Sequence, residues 1–179
     1  MRSRVLIILA GVVALGVGQL AYRWMHAAAA PPVPILGDVS FPDVSGASRR
    51  ISEWSGKILV VNFWATWCPP CREEMPEFSR LRSEFASRGV EFIGIAIDDP
   101  KEVKEYLVRA PVNYPILIGQ SGGAQWAADL GNVLQVLPFT AVFDRAGRLV
   151  RVKAGPFDRD ELVDVLSRII GKGGTSGSG

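Results

Sequence analysis

The stretch FWATWCPPCREEMP, from Phe63 to Pro76, contains both cysteines of this chain of 179 residues. It overlaps the end of a nearly continuous apolar run, ILVVNFWA at 58–65, which is typical of a central strand buried on both faces. It leads into REEMPEFSRLRSEFASRG at 72–89, whose apolar residues recur at helical spacing. The cysteines are therefore expected just past the carboxyl end of a strand, at a helix N-terminus, where open α/β sheets place reactive groups.

Two cysteines three positions apart form a stabilising disulfide, a metal clip or a redox pair. A disulfide stabilises mainly by closing a loop in the unfolded chain, and the loop from Cys68 to Cys71 is too short to gain much. Zinc needs about four ligands, but the chain has no third cysteine, and its one histidine, His26, is close to the apolar N-terminal run. The pattern predicts redox chemistry without a metal, and without a cofactor other than the Cys68–Cys71 disulfide.

The two sulfurs are expected to have different roles, because exchange needs one attacking thiolate and a second thiol that resolves the mixed disulfide. The helix N-terminus favours a thiolate at Cys68, so we assign Cys68 as the exposed nucleophile and Cys71 as the buried resolving thiol. Pro69 and Pro70 have no N–H, so Cys71 supplies the first backbone donor. Weak stabilisation of the reduced form predicts a reduction potential nearer about −270 mV than the roughly −120 mV of a strong oxidant.

The N-terminus predicts export. Arg2 and Arg4 precede an uncharged, largely apolar run at 5–22, which as a helix would span about 27 Å, close to the roughly 30 Å hydrocarbon core of a bilayer. The alanines of HAAAAP at 26–31 suit cleavage of a signal peptide, whereas the bulky segment before them favours an uncleaved anchor. We expect residues 1–30 to form an inner-membrane anchor or a signal segment, with the domain in the periplasm in either case.

The rest of the chain is close to electrically neutral. Three of its 20 basic residues, Arg2, Arg4 and Arg23, lie in the N-terminal segment, and the chain has 18 acidic residues. This balance gives no electrostatic basis for binding nucleic acid. Prolines at 31–37 predict a linker, and the Gly/Ser-rich residues 171–179 predict a disordered tail, so the folded domain is expected over 38–170.

Strands that alternate with helices, followed by a terminal hairpin and helix, predict an α/β fold with a mixed central sheet flanked by helices and an N-terminal hairpin. The stretches GKILVVNFWATWCPPCREEMPEF (56–78) and VLPFTAVFDRAGRLV (136–150) resemble the membrane-tethered TlpA/ResA/CcmG-like thiol-disulfide oxidoreductases of the thioredoxin superfamily. The resemblance covers nearly all of 39–170. It implies a thioredoxin-like fold with a helix–strand insertion near 101–118.

The resemblance also implies residues around the sulfurs. Trp67 matches the tryptophan before the redox pair, and Pro138 matches a cis-proline beside the disulfide. A cis X–Pro turn exposes backbone groups that can pair with a substrate strand. Leu137 and Phe139, on either side of that proline, are therefore candidate residues of the substrate groove.

Acidic residues near the site have several interpretations. Asn62 stands where thioredoxins carry a buried acid, and Asp99 matches an acid that follows the second strand in the tethered proteins. A carboxylate there could accept the proton of Cys71; Asp99 could instead cap the next helix, and Asp98 could serve equally. Glu73 and Glu74 are interpreted as first-turn acids that complement the helix dipole.

The leading functional hypothesis is a periplasmic, membrane-anchored reductant of disulfides in client proteins. The resemblance suggests a membrane thiol reductase as electron donor, and apocytochromes c or assembly factors of the oxidase copper centre as clients. Two alternatives remain open. One is a copper(I) carrier that uses Cys68, Cys71 and Met75 as soft sulfur ligands; the other is a disulfide-forming oxidase.

Overall fold

The computed structural model describes residues 36, 37 and 39–173, together with three isolated positions, 16, 18 and 19. The chain divides into two compact units, Met1–Val33 and Pro34–Gly179, and the second contains every strand described below. The predicted N-terminal segment, most of the linker and residues 174–179 of the predicted tail lie outside the described residues. Within the described part of the chain, no helix is long and apolar enough to cross a bilayer.

The predicted N-terminal hairpin is confirmed. It consists of the antiparallel strands β1 (Ser40–Pro42) and β2 (Ser48–Arg50). The Asp43 carboxylate closes the turn, because it accepts hydrogen bonds from the backbone N–H groups of Ser45 (2.8 Å) and Ala47 (3.1 Å). A short 3₁₀ helix, Ile51–Trp54, follows the hairpin and buries its first and last side chains against the sheet.

A five-stranded mixed sheet forms the centre of the domain, in the spatial order β5-β4-β3-β6-β7. The apolar run that precedes the cysteines is its central strand, and every residue of that strand is buried. It pairs in parallel with β4 and antiparallel with β6. The strands are β3 (Ile58–Trp64), β4 (Val90–Ala96), β5 (Ile116–Ile118), β6 (Phe139–Phe143) and β7 (Leu149–Ala154).

Helices cover both faces of the sheet: α1 (Pro69–Phe85), α2 (Pro100–Arg109), α3 (Gln120–Asp129) and α4 (Arg159–Gly173). Helix α2 and strand β5 occupy the range in which the insertion was expected, and β5 extends the sheet in parallel beside β4. The last helix continues three residues beyond the expected domain end at 170.

Alternation along the strands gives the sheet two separate cores. Val60 and Trp64 of β3 pack with Met75 and Phe78 of α1 and with Leu166 of α4, and we call this side the α1 face. The intervening residues of β3, Val61 and Phe63, pack with Trp126 of α3 and with the hairpin, on what we call the α3 face. Asn62 alternates with Val60 and Trp64 and so lies on the α1 face. The cysteines belong to the core on that same face.

Candidate active site

Cys68 and Cys71 are joined by a disulfide at the start of α1, with their Cα atoms 5.3 Å apart. Cys68 is the N-cap of this helix, and its Sγ accepts a hydrogen bond from the Cys71 backbone N–H at 3.4 Å. Pro69 and Pro70 occupy the first two helical positions. Because neither proline has an N–H, Cys71 supplies the first backbone donor to the sulfur, as predicted.

The two sulfurs differ less in exposure than the sequence predicted. Cys71 is fully buried as expected, but Cys68 is only 4 % exposed, so the expectation of an openly exposed nucleophile was wrong. The reason is that the Cys68 side chain packs into the α1-face core together with Cys71. The preceding residue, Trp67, is 66 % exposed instead. Only a small part of Cys68 is therefore accessible to a reaction partner.

A buried acid lies one helical turn beyond the cysteines. Glu74 is 6 % exposed, and its two carboxylate oxygens accept hydrogen bonds from Asn62 Nδ2 (2.7 Å) and from the Phe157 backbone N–H (3.0 Å). Burial raises the pKa of Glu74 from its ordinary value of 4.5 to about 7, because desolvation outweighs the two hydrogen bonds that favour the charged form. This carboxyl group can therefore bind or release a proton near neutral pH.

Asn62 connects this acid to the sheet. It lies directly opposite Thr140 in the β3–β6 ladder. Its Nδ2 donates to Thr140 Oγ1 at 3.1 Å as well as to Glu74, while its buried Oδ1 has no hydrogen-bond partner among the described residues. The position that the resemblance linked to a buried acid thus carries a neutral amide, and the acid is supplied by the helix that faces it.

Comparison with known proteins identifies the family of this chain. Residues 28–167 match the Redoxin family. This chain belongs to the Redoxin family. The redoxin is 28% identical to thiol-disulfide oxidoreductase ResA of Geobacillus thermodenitrificans over 170 residues, which cover 94% of each chain. It is 33% identical to ResA of Halalkalibacterium halodurans over 129 residues, 72% of this chain and 70% of that one.

A solved structure agrees with both the fold and the activity. A thiol:disulfide interchange protein of the thioredoxin family from Chlorobium tepidum superposes with a TM-score of 0.70 at 29% identity, over 80% of this chain and 99% of that chain. The predicted resemblance and thioredoxin-like fold are confirmed. With its Cys68–Cys71 disulfide, the redoxin is a protein thiol-disulfide oxidoreductase.

Glu74 was misinterpreted at the level of sequence. Its neighbour Glu73 is exposed, as a first-turn surface acid should be, but Glu74 is buried. A signal for this was present, because Glu74 falls inside the apolar stripe that Cys71, Met75 and Phe78 form at helical spacing. Thr140, which accepts a hydrogen bond from Asn62, was not singled out at all, because one threonine within a strand carries no such signal.

Asp99 caps the helix that follows it. It is exposed and caps α2, with its Oδ1 accepting from the Lys101 backbone N–H at 2.8 Å, so the capping alternative is the one observed. Its role as acceptor of the Cys71 proton stays a prediction. Asp98 is also hydrogen-bonded: its Oδ2 accepts from the backbone N–H (2.8 Å) and the hydroxyl (2.5 Å) of Thr66.

The segment that enters β6 agrees with the expectation only in part. The Leu137–Pro138 peptide bond is cis, as the resemblance implied, and Leu137 is half-buried. Phe139, by contrast, is not a groove residue. It pairs with Phe63 across the ladder, shares the α3 face with it and is buried there, with the two rings 5.9 Å apart. The contribution of Leu137 and Pro138 to a substrate groove stays a prediction.

The arrangement is equipped for exchange between sulfurs. It combines a sulfur on a residue with little exposure, a second, fully buried sulfur bonded to it, and a buried carboxyl group with a pKa of about 7 on the same helix. Met75, considered as a copper ligand, is buried in the α1-face core. No cluster of three or more His, Cys, Asp or Glu side chains in the described part of the chain is placed to hold a metal ion.

Proposed function

We propose that this redoxin is an exported dithiol reductant that transfers two electrons to disulfides of client proteins. The proposal rests on the hydrogen bonds available to Cys68 Sγ. Two prolines follow Cys68, so Cys71 is the first residue whose backbone N–H can donate to this sulfur. Each missing donor leaves the reduced, thiolate-bearing form less stabilised. A less stable reduced form is a better electron donor, and this supports a reductant over a disulfide-forming oxidase.

The first step joins the enzyme to its client. The Cys68 thiolate attacks one sulfur of the client disulfide, so that the client S–S bond breaks while a bond from Cys68 Sγ to the client sulfur forms. The client's other sulfur leaves as a thiolate and takes a proton from solvent. Because only 4 % of Cys68 is exposed, the attacked client sulfur must approach that small accessible part.

The second step releases the client, and it is here that Glu74 acts. The Glu74 carboxylate accepts the proton of the Cys71 thiol, since the two buried side chains lie one turn apart on the same helix face. The Cys71 thiolate then attacks Cys68 Sγ, the mixed disulfide breaks, and the Cys68–Cys71 bond forms. The client leaves with a second thiolate, which takes up a proton. Two electrons have then passed from the enzyme dithiol to the client disulfide.

Location and partners are proposed from the sequence. The apolar run at 5–22 behind two arginines supports insertion in the inner membrane with the domain in the periplasm. There a membrane thiol reductase would regenerate the dithiol. Clients of the chemistry proposed are apocytochromes c, which must hold reduced cysteines before haem attachment, or assembly factors of the oxidase copper centre.

The proposal is tested by trapping and by potential. Cys71→Ser should accumulate mixed disulfides between Cys68 and clients in cells, because the resolving thiol is absent, whereas Cys68→Ser should trap none. Identification of the trapped proteins separates haem-binding clients from copper factors. A reduction potential near −270 mV supports a reductant, while a value close to −120 mV would make the protein an oxidase. Stoichiometric copper(I) binding without disulfide reduction would instead favour the copper carrier.

A further inference from the structure

Asp98 binds the turn that leads from the central strand to the cysteines. This turn consists of residues 65–67, between the end of β3 and the N-cap of α1. Asp98 Oδ2 accepts hydrogen bonds from the backbone N–H (2.8 Å) and the hydroxyl (2.5 Å) of Thr66. Its other oxygen, Oδ1, accepts from the Asp99 N–H at 2.8 Å. One carboxylate thus connects the turn before Cys68 to the segment that follows β4.

Backbone hydrogen bonds fix the two ends of the same turn. The Ile97 N–H donates to the Trp64 carbonyl at 2.8 Å, which continues the contact between β3 and β4 past the paired residues. The Cys68 N–H donates to the Ala65 carbonyl at 3.2 Å and closes the turn. The main chain therefore holds the turn where it leaves the strand and where it enters the helix, and the carboxylate holds it at the centre.

No ion pair competes for this carboxylate. None of the ion pairs formed among the described residues includes Asp98. Its hydrogen-bond donors are the two groups of Thr66 and the adjoining backbone N–H. A hydrogen bond to a charged group is roughly twice as strong as one between neutral groups. The carboxylate is therefore a strong and dedicated anchor for Thr66.

We propose that Asp98, acting through Thr66, is a positioning residue that keeps Cys68 within bonding reach of Cys71 when the pair is reduced. In the oxidised protein the S–S bond itself holds the two cysteines together. In the dithiol this restraint is absent, and any freedom that the turn gains must be lost again each time the disulfide closes. A turn that is already ordered avoids this cost and so favours closure.

The anchor should therefore make the pair a better electron donor, because closure of the disulfide is the oxidation of the dithiol. The role concerns the sulfur pair itself and goes beyond the proposed function, since it holds whichever way electrons flow between the enzyme and its partners.

The test measures the equilibrium in which the enzyme dithiol and oxidised glutathione give the enzyme disulfide and two molecules of glutathione. Asp98→Ala should lower the equilibrium constant about tenfold, which raises the reduction potential of the pair by about 30 mV. Thr66→Val removes only the hydroxyl donor and should lower the constant about threefold. Thr66→Ser keeps that donor and should match the wild type. The double variant Thr66→Val/Asp98→Ala should equal Asp98→Ala, because the hydroxyl then has no acceptor to lose.

Asp43→Ala is the matched control, because Asp43 makes nearly the same hydrogen bonds in the N-terminal hairpin. Its Oδ1 accepts from the backbone N–H (2.8 Å) and the hydroxyl (2.6 Å) of Ser45. This variant should unfold at a lower urea concentration than the wild type but keep the wild-type equilibrium constant with glutathione.

Three results would overturn the positioning role. They are a constant in Asp98→Ala or Thr66→Val that equals or exceeds that of the wild type, a fall in Thr66→Ser as large as in Thr66→Val, and an equal fall in Asp43→Ala, which would show a general effect of lost stability. The two Thr66 variants decide the outcome even where Asp98→Ala does not fold. Each of these results would leave the proposed reductant function standing, because that function is tested by the wild-type potential and by the trapped clients.

Discussion

Glu74 follows Cys71 by one turn of α1, and both side chains are buried on the face of the helix that packs against the sheet. The acid has no charged partner within the hydrogen-bonding distances described; it is held by an amide and a backbone N–H. This environment raises its pKa to about 7 because desolvation dominates. Its protonation is therefore linked both to the stability of the fold and to the chemistry of the neighbouring thiol.

The stability of the oxidised protein should depend on pH through Glu74. Below about pH 4.5 the carboxyl group is protonated in both the folded and the unfolded state. Between that value and about 7 the folded state binds more protons than the unfolded state. The contribution of Glu74 to the free energy of unfolding therefore falls as pH rises, by about 3 kcal/mol in total. Glu74→Gln should remove this loss. Urea unfolding of both proteins across this range measures the difference, and Glu73→Gln, at an exposed position, should behave like the wild type.

The same substitution should slow the release of the client. In a single turnover with an aromatic disulfide, the first thiol released reports the attack by Cys68, and the second reports resolution by Cys71. Glu74→Gln should slow only the second phase, by about 100-fold, because a positioned base is lost. In the wild type that phase should accelerate as pH rises and Glu74 ionises. Equal slowing of both phases, or an equal effect of Glu73→Gln, would contradict a role for Glu74 in proton transfer.

Asn62 should control how readily Glu74 ionises. Its Nδ2 donates to the carboxylate and so favours the charged form. Asn62→Leu should therefore raise the pKa of Glu74 above the wild-type value. Thr140→Val should have much less effect, because Thr140 bonds to Asn62 and not to the acid. The carboxylic acid band in infrared difference spectra against Glu74→Gln follows this titration. A pKa in Asn62→Leu at or below that of the wild type would contradict the role.

Asp98 and Asp99 should respond differently to substitution. Asp98→Ala removes two hydrogen bonds to Thr66 in the loop before Cys68 and should cost about 2 kcal/mol of stability. Asp99→Asn should be nearly silent in both stability and rate, because asparagine caps a helix about as well as aspartate. Chemical unfolding and turnover of a small disulfide measure these effects. A large rate loss in Asp99→Asn would support Asp99, in place of Glu74, as the proton acceptor.

The sequence predicted the elements well because their signals are local. The unbroken apolar run at 58–65 predicted a central strand, and the spacing of Met75, Phe78 and Phe85 predicted the buried face of α1. The position and order of the two sulfurs followed from the pair of prolines and the helix start. Each of these inferences needs only neighbours within one strand or one helical turn.

What the sequence could not predict depends on contacts between distant segments. The N–H that binds Glu74 belongs to Phe157, 83 residues later, and no local pattern brings the two together. Phe139 was assigned to the wrong environment because its face depends on the register with β3. The partner of Asp98 likewise could not be predicted, because Thr66, which donates to it, lies 32 positions earlier.

Because the sheet has a separate core on each face, the stability of the fold and the chemistry of the disulfide depend largely on different residues. Neighbouring residues of a strand lie on opposite faces of the sheet. Asn62 of β3 and Thr140 of β6 lie on the α1 face, which carries the sulfurs, whereas Val61 and Ala141 lie on the α3 face. Substitutions on the α3 face can raise or lower the stability of the fold while the residues in contact with the disulfide stay unchanged. Substitutions for heat resistance are therefore best placed on the α3 face and away from Leu137, which packs against both cores.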